Sequence, residues 1–203
     1  MRRLMAAVLM GLSLMLAGEA IAVQSPQELV EQTSKQMLDK LKEESAVLKA
    51  NPGRIYELVN QIVLPHFDFE YMSQMVLAKY WQRATPEQKK SFVNEFRTLL
   101  VRTYATSLNQ YTDQKLTFAP FRPDSRPDLA TVHSEVEQPG GLPIPIDYRL
   151  HLEGDRWKVF DVVIDGVSLV TNYRSSFAKE IREGSLDSLI KTLADRNKQA
   201  SRK

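Results

Sequence analysis

Residues 157–177 read WKVFDVVIDGVSLVTNYRSSF, and this stretch decides what kind of fold the chain can adopt. It has the pattern of a β-strand that passes directly into a helix. Strict alternation would place Lys158, Phe160, Val162 and Ile164 on one face, and Trp157, Val159, Asp161 and Val163 on the other. A strand in a sheet with one wet face is apolar on one side only. We therefore expect both faces to be covered, either by helices on both sides or by helices on one side and an apolar cavity on the other.

The sequence before this stretch alternates with the same period of two, which predicts further strands. Glu153-Gly154-Asp155 is typical of a hairpin turn into the strand at 157–165, and Pro139-Gly140-Gly141 marks an earlier turn. The pattern predicts a four-stranded antiparallel meander. The apolar members of the upstream alternation are Leu116 and Phe118, then Ala130, Val132 and Val136, then Ile144, Ile146, Tyr148, Leu150 and Leu152.

Helical periodicity is confined to the two ends of the chain, which places the sheet between two groups of helices. Ser25-Pro26-Gln27-Glu28 and Thr85-Pro86-Glu87-Gln88 have the form of capping boxes with proline at the first helical position, and Asp68 is a plausible N-cap. Segregated helices and strands indicate an α+β fold in the shape of a half-open cone. The predicted helices are 26–49, 54–64, one opening at 67–70, 86–111, 169–183 and 185–198, with Gly184 separating the last two.

The N-terminus predicts export from the cytoplasm. Arg2 and Arg3 precede an apolar run at 4–17, and Ala20-Ile21-Ala22 offers small residues to a signal peptidase. The run falls short of the roughly 20 residues that span a bilayer. We expect residues 1–22 to be a cleaved signal peptide and residues 23–203 to form a single domain of the exported protein.

Charge and cysteine content exclude several classes of protein. The full chain has a formal net charge of +2, which becomes +1 when residues 1–22 are removed with Arg2, Arg3 and Glu19. That balance argues against a nucleic-acid-binding protein. The chain contains no cysteine, so it has no disulfide, no thiolate metal site and no cysteine nucleophile.

Several segments together resemble the MlaC-type phospholipid-transport family, also known as the toluene-tolerance auxiliary family. They are WKVFDVVIDGVSL at 157–169, NYRSSF at 172–177, PHFDF at 65–69, Tyr80-Trp81, and TPEQ at 85–88 followed by Phe92 and Phe96. The resemblance covers essentially the whole mature chain. It implies a cone related to the NTF2-like class that holds a phospholipid by its acyl tails in an apolar pocket between a curved sheet and helices. It also implies that the head group stays near solvent.

The same resemblance implies the partners. The family carries lipid through the periplasm of Gram-negative bacteria between an outer-membrane lipoprotein/porin complex and an inner-membrane ABC transporter with an MCE-domain protein, and so maintains outer-membrane lipid asymmetry. A monomer without a cofactor or metal is expected.

Large apolar residues on the helices and strands are the candidate lipid-binding walls, because methionine and aliphatic side chains suit flexible guests. For each of these residues, the alternative is that its side chain is simply part of the closed hydrophobic core. The candidates are Met72, Met75, Val76, Phe96, Leu100, Tyr104, Ile146, Tyr148, Val162, Ile164, Val167, Leu169 and Tyr173. Arg174 is a possible head-group contact, and a salt bridge to Asp161 or Asp165 is the alternative.

Two other functions compete with lipid transport. Long capped helices with charged outer faces would equally suit a periplasmic chaperone or adaptor. Asp161 and Asp165, with Tyr148 and Tyr173 nearby, outline a general base of an NTF2-like enzyme. The sequence has no nucleophile-elbow, P-loop or HExxH motif, and His66, His133 and His151 lack ligand spacing. We therefore expect no catalytic residue and no metal site.

Overall fold

The computed structural model describes residues 24–108, 115–138 and 140–200, and it has the expected α+β order. Helices precede and follow an antiparallel sheet. The N-terminal helices are α1 (Pro26–Glu43), α2 (Ser45–Ala50), α3 (Arg54–Leu58), α4 (Phe69–Leu77) and α5 (Pro86–Leu108). The strands are β1 (Leu116–Phe118), β2 (Leu129–Val136), β3 (Ile144–Glu153), β4 (Arg156–Ile164) and β5 (Val167–Ser168), and the chain continues into α6 (Leu169–Glu183) and α7 (Leu186–Ala200).

The predicted helix starts are confirmed by their side-chain caps. Ser25 and Glu28 form a reciprocal capping box at α1, and Thr85 and Gln88 form another at α5. Asp68 Oδ1 accepts a hydrogen bond from the Tyr71 N–H at the start of α4. These residues satisfy N–H groups that a helix leaves without partners in its first turn.

Two of the predicted helices are interrupted. The helix expected over 26–49 breaks at Glu44, whose carboxylate accepts hydrogen bonds from Arg54 Nε at 2.7 Å and Nη2 at 3.1 Å. This ion pair ties the break to the first residue of α3. The helix expected over 54–64 changes after Leu58 into a π-helical turn, Val59–Val63, and then a 3₁₀ turn, Leu64–His66. The 3₁₀ turn contains Pro65, the residue expected to end the helix.

The prediction of four strands was one strand too few. The sheet has the order β1-β2-β3-β4-β5, with every neighbouring pair antiparallel. The additional strand is the two-residue β5, which pairs with the end of β4 at Val163 and Ile164. Gly166 permits this tight reversal because its φ of 77° is costly for residues that carry a Cβ atom.

The strict alternation predicted for β4 is wrong at one point, because this strand contains a β-bulge. Leu150 pairs with Val159 and Arg149 pairs with Asp161, so Phe160 is an extra residue between them. One extra residue exchanges the two faces of a strand. Val159 therefore shares the inner face with Val162 and Ile164, whereas the alternation had placed it with Asp161.

The two sides of β4 are covered in different ways, which answers the question raised by residues 157–165. On the outer side, the Tyr71 ring of α4 contacts Phe160 edge-on at 5.4 Å between centroids, and the Val170 N–H of α6 bonds to Asp161. On the inner side, Val159, Val162 and Ile164 line a cavity. The main hydrophobic cluster includes Val159, Phe160 and Val162, and it joins the sheet to α1, α4, α5, α6 and α7. A second cluster joins α1, α2 and α3 to the C-terminal half of α5.

Some predictions fall on residues outside the described ranges. They include the signal peptide and the predicted continuation of the 86–111 helix beyond Leu108. Within the described ranges, no helix combines the length and apolar character needed to cross a bilayer.

Candidate functional site

A cavity of about 680 Å³ lies between the inner face of the sheet and the N-terminal helices. This volume falls in the range of roughly 300–1,000 Å³ that is usual for small-molecule sites. The exposed residues Ser107 and Gln138 are among those that line the cavity. The described residues that line it include no Asp, Glu, Lys or Arg.

The sheet wall of the cavity follows from the register of β3 and β4. Ile146 lies opposite Ile164, and Tyr148 lies opposite Val162, so these side chains share the inner face. The bulge adds Val159 to the same wall. Because neighbouring strands lie about 4.8 Å apart, the paired residues form a continuous apolar surface.

Most of the lipid-binding candidates line this cavity. Whether their side chains contact a lipid stays a prediction. The candidates in the cavity wall are Met72, Leu100, Tyr104, Ile146, Tyr148, Val162, Ile164 and Leu169.

The remaining candidates lie elsewhere. Val76 and Phe96 are buried in the closed core, and Met75 packs against its border. The Tyr173 ring contacts Phe96, with 5.2 Å between centroids. Val167 is 55% exposed on β5.

The sequence reasoning missed the wall that the N-terminal helices contribute. One signal was available, since Leu29 and Met37 fall on one side of α1. For Val59 and Val63, helical periodicity is a poor guide, because both lie in the π-helical turn, which departs from the 3.6-residue repeat. The residues missed in this wall are Leu29, Val30, Met37, Leu38, Val59, Val63, Leu64, Phe67 and Phe69.

The titratable groups in the wall are shifted toward their neutral forms. Burial raises the pKa of Tyr104 to about 12, and the nearby Tyr173 adds to this shift. Burial also raises the pKa of Tyr148, although hydrogen bonding with Ser134 and Ser34 opposes the shift. Burial and the positive charge of Lys158 lower the pKa of His66. These three side chains thus add polar atoms to the wall without adding charge near neutral pH.

Arg174 holds two helices together. Its Nε donates a hydrogen bond to the Met75 carbonyl at 2.8 Å, which links α6 to α4. Asp161, one of its two expected ion-pair partners, is engaged by other groups. It accepts hydrogen bonds from the Val170 N–H at 3.0 Å, from Ser168 Oγ at 2.6 Å and from Arg149 Nη1 at 3.3 Å.

The general-base arrangement outlined from the sequence is not assembled. Asp161 pairs with Arg149 on the outer face of the sheet, whereas Tyr148 lies on the inner face. Asp165 lies in the exposed turn before β5. Nor do the described residues bring three His, Asp or Glu side chains together in a way that could hold a metal ion.

Comparison with known proteins identifies the family. The family model described as MlaC protein matches residues 31–195. The toluene tolerance protein ttg2D of Pseudomonas putida is 31% identical over 174 residues, which cover 85% of this chain and 80% of that protein. The intermembrane phospholipid transport system binding protein MlaC of Haemophilus influenzae is 25% identical, with 84% and 81% covered.

A solved structure agrees with this assignment. The phospholipid-binding protein from Ralstonia solanacearum, determined in complex with a phospholipid, is 31% identical. It superposes with a TM-score of 0.80 over 88% of this chain and 99% of that one. The matches extend over both groups of helices and the sheet between them. The chain belongs to the MlaC protein family.

Proposed function

We propose that this chain is a periplasmic phospholipid carrier that buries acyl chains in the apolar cavity. In this proposal residues 1–22 direct export and are removed, and residues 23–203 form one lipid-binding domain. The observation that carries the proposal is the cavity itself, with a volume of about 680 Å³ and no charged residue among its described lining residues. A closed core would leave no such space between the sheet and α1.

The energy of acyl-chain transfer explains why a carrier needs this kind of site. Two chains of about fifteen methylenes each, at roughly 0.8 kcal/mol per methylene, cost on the order of 24 kcal/mol to expose to water. A protein that buries both chains removes most of this barrier. Apolar volume is therefore the required chemistry, and a precise polar site is not needed for the tails.

The relatives support the same function. The protein from H. influenzae is named for intermembrane phospholipid transport, and the structure from R. solanacearum contains a phospholipid. We extend the proposal to the partners that the family resemblance implies. The chain would exchange lipid with an outer-membrane lipoprotein/porin complex and with the MCE-domain protein of an inner-membrane ABC transporter.

Lipid extraction tests the proposal directly. The full chain is expressed in a Gram-negative host, the mature protein is purified from the periplasm, and an organic extract is analysed by mass spectrometry. We expect one or two phospholipid molecules per chain that persist through delipidating washes. A periplasmic protein of similar size, purified in parallel, controls for lipid carried over from the membrane. Absence of phospholipid in a defined stoichiometry would favour a chaperone or adaptor.

A further inference from the structure

The wall that α5 contributes to the cavity ends within the helix. Leu108, Tyr104 and Leu100 follow one another at intervals of four residues, and all three line the cavity. Phe96 is the next residue in this series, but it is 0% exposed and is not among the lining residues. Four residues of an α-helix rise by about 6 Å, so the open space ends within about this distance of Leu100.

The exposure of the lining residues falls in the same direction. On α5, Ser107 is exposed, Tyr104 is half-buried and Leu100 is 7% exposed. On β3, Tyr148 lines the cavity and is half-buried, whereas Leu150, the next residue on that face, is 0% exposed and lies outside the wall. Both walls therefore run from a more exposed end of the cavity to a buried one.

The ring of Phe96 is held in place by rings from two helices. It contacts Phe92 of α5 at 5.6 Å between centroids, and Tyr173 and Phe177 of α6 at 5.2 and 5.8 Å. Tyr173 also hydrogen-bonds with Tyr104 in the cavity wall, so this ring cluster reaches the boundary of the cavity. Because interiors are close-packed, one of these rings cannot yield to an entering chain unless its neighbours also move.

We propose that Phe96 is the stop that sets the length of acyl chain that the cavity accepts. This inference rests on the proposed carrier function, and it concerns the methyl end of the chain. Each further methylene that finds space in the cavity raises the affinity about fourfold. A methylene beyond the stop gains no such burial, since the closed ring cluster occupies the space. The protein therefore discriminates against chains that are longer than its cavity.

Two substitutions on α5 move the stop in opposite directions. Phe96→Ala removes the ring next to Leu100 and extends the cavity, whereas Leu100→Phe places a ring one turn closer to the exposed end and shortens it. Phe92→Ala is the matched control, because Phe92 is also 0% exposed in the same ring cluster but lies one turn farther from the cavity. Phe96→Leu and Phe92→Leu form a milder pair if the alanine variants fold poorly.

Competition between lipids of different chain length measures the effect. Delipidated full-length mature protein is loaded from vesicles with equal amounts of dipalmitoleoyl, dioleoyl and dieicosenoyl phosphatidylglycerol. These lipids share one head group, and their chains differ successively by two methylenes. Mass spectrometry then gives the ratio of the longest to the shortest lipid bound to the folded protein.

We expect Phe96→Ala to raise this ratio at least about fourfold over the unmodified protein, because at least one further methylene of each long chain is buried. Phe96→Leu should raise it by less. Leu100→Phe should lower the ratio, and Phe92→Ala should leave it unchanged.

The outcomes separate this inference from the function on which it rests. An unchanged ratio in the folded Phe96 variants, an equal rise in the matching Phe92 variants, or a rise in Leu100→Phe would overturn the stop at Phe96 while leaving a phospholipid carrier. An unmodified protein that binds none of the three lipids would overturn the carrier function and the stop together.

Discussion

At the scale of single residues, Asp161 joins the bulge of β4 to the start of α6. Its side chain is 2% exposed and accepts hydrogen bonds from a backbone N–H, a hydroxyl group and a guanidinium group. The Ser168 hydroxyl that donates to Asp161 also accepts from the Thr171 N–H as the N-cap of α6. One carboxylate thus fixes the point where the sheet passes into the helix. Its role in the described structure is to hold these elements together.

Asp161→Ala should destabilise the fold by about 2–4 kcal/mol. The substitution leaves the buried Val170 N–H without its acceptor, and hydrogen bonds to charged groups contribute more than neutral ones. Denaturant unfolding at pH 7 measures the change. Asp147→Ala is the matched control, since Asp147 lies on the same outer face and pairs with the exposed His133 at 2.7 Å. Asp147→Ala should lower the free energy of unfolding by at most about 1 kcal/mol. Similar losses in both variants would contradict the role assigned to Asp161.

Individual wall residues were predictable where local pattern was enough. Ile146, Tyr148 and Ile164 lie in the cavity wall because alternation correctly gives their face. Phe96 has the same aromatic character as a wall residue, but it packs at the centre of an aromatic cluster with Phe92 and Phe177. Helical periodicity shows which face of α5 is apolar. It does not show how far along that face the packing is closed and where a cavity begins.

At the scale of elements, β4 shows why a strand pattern can mislead by one residue. The chain from Trp157 to Val159 obeys one alternation, and the chain from Asp161 to Ile164 obeys the opposite one. A bulge is a property of the pairing between two strands, so the sequence of one strand does not reveal it. The helices at the two ends of the domain were easier to place, since capping residues act within a single turn.

Filling the sheet wall should reduce lipid binding more than stability. Ile164→Trp places an indole ring in the cavity, where free volume can accept it. Bound lipid per folded chain should therefore fall at least about twofold, while the free energy of unfolding should change by less than about 1.5 kcal/mol. The control is Val170→Trp, because Val170 is 2% exposed in the closed core. Overpacking there should cost about 1–3 kcal/mol and leave lipid per folded chain unchanged. Parallel losses of lipid and stability in Ile164→Trp would indicate ordinary core at this position.

At the scale of the whole molecule, packing is divided between two hydrophobic clusters with a cavity beside both. The first cluster holds the sheet against α1 and against α4 to α7, and the second holds α1 to α3 against α5. Residues from both clusters line the cavity, including Leu29 and Met72 from the first and Met37 and Val59 from the second. A guest that fills the cavity therefore contacts both clusters and adds contacts that the empty protein lacks.

Removal of lipid should lower the thermal stability. A ligand present at about 100 times its dissociation constant stabilises the folded state by roughly 2.7 kcal/mol. For a chain of this size, each kcal/mol corresponds to about 2–4 °C, so delipidated protein should melt about 5–10 °C below the loaded form. Calorimetry before and after reloading with phospholipid measures the difference. Bovine serum albumin stripped of fatty acid provides a control for the delipidation procedure. Equal melting temperatures would mean that the cavity does not bind lipid in the folded state.

The bulge at Phe160 also constrains how this region can change during evolution. The Gly154 turn and the Gly166 turn fix the two ends of β4, and the residue count between them sets which side chains meet the cavity. Substitution can adjust the size of each side chain in the wall. Adding one residue between Phe160 and Asp161 would send Val162 and Ile164 to the outer face and turn Asp161 toward the cavity. Relatives that keep the carrier function should therefore diverge in this strand by replacement, with gaps confined to the turns.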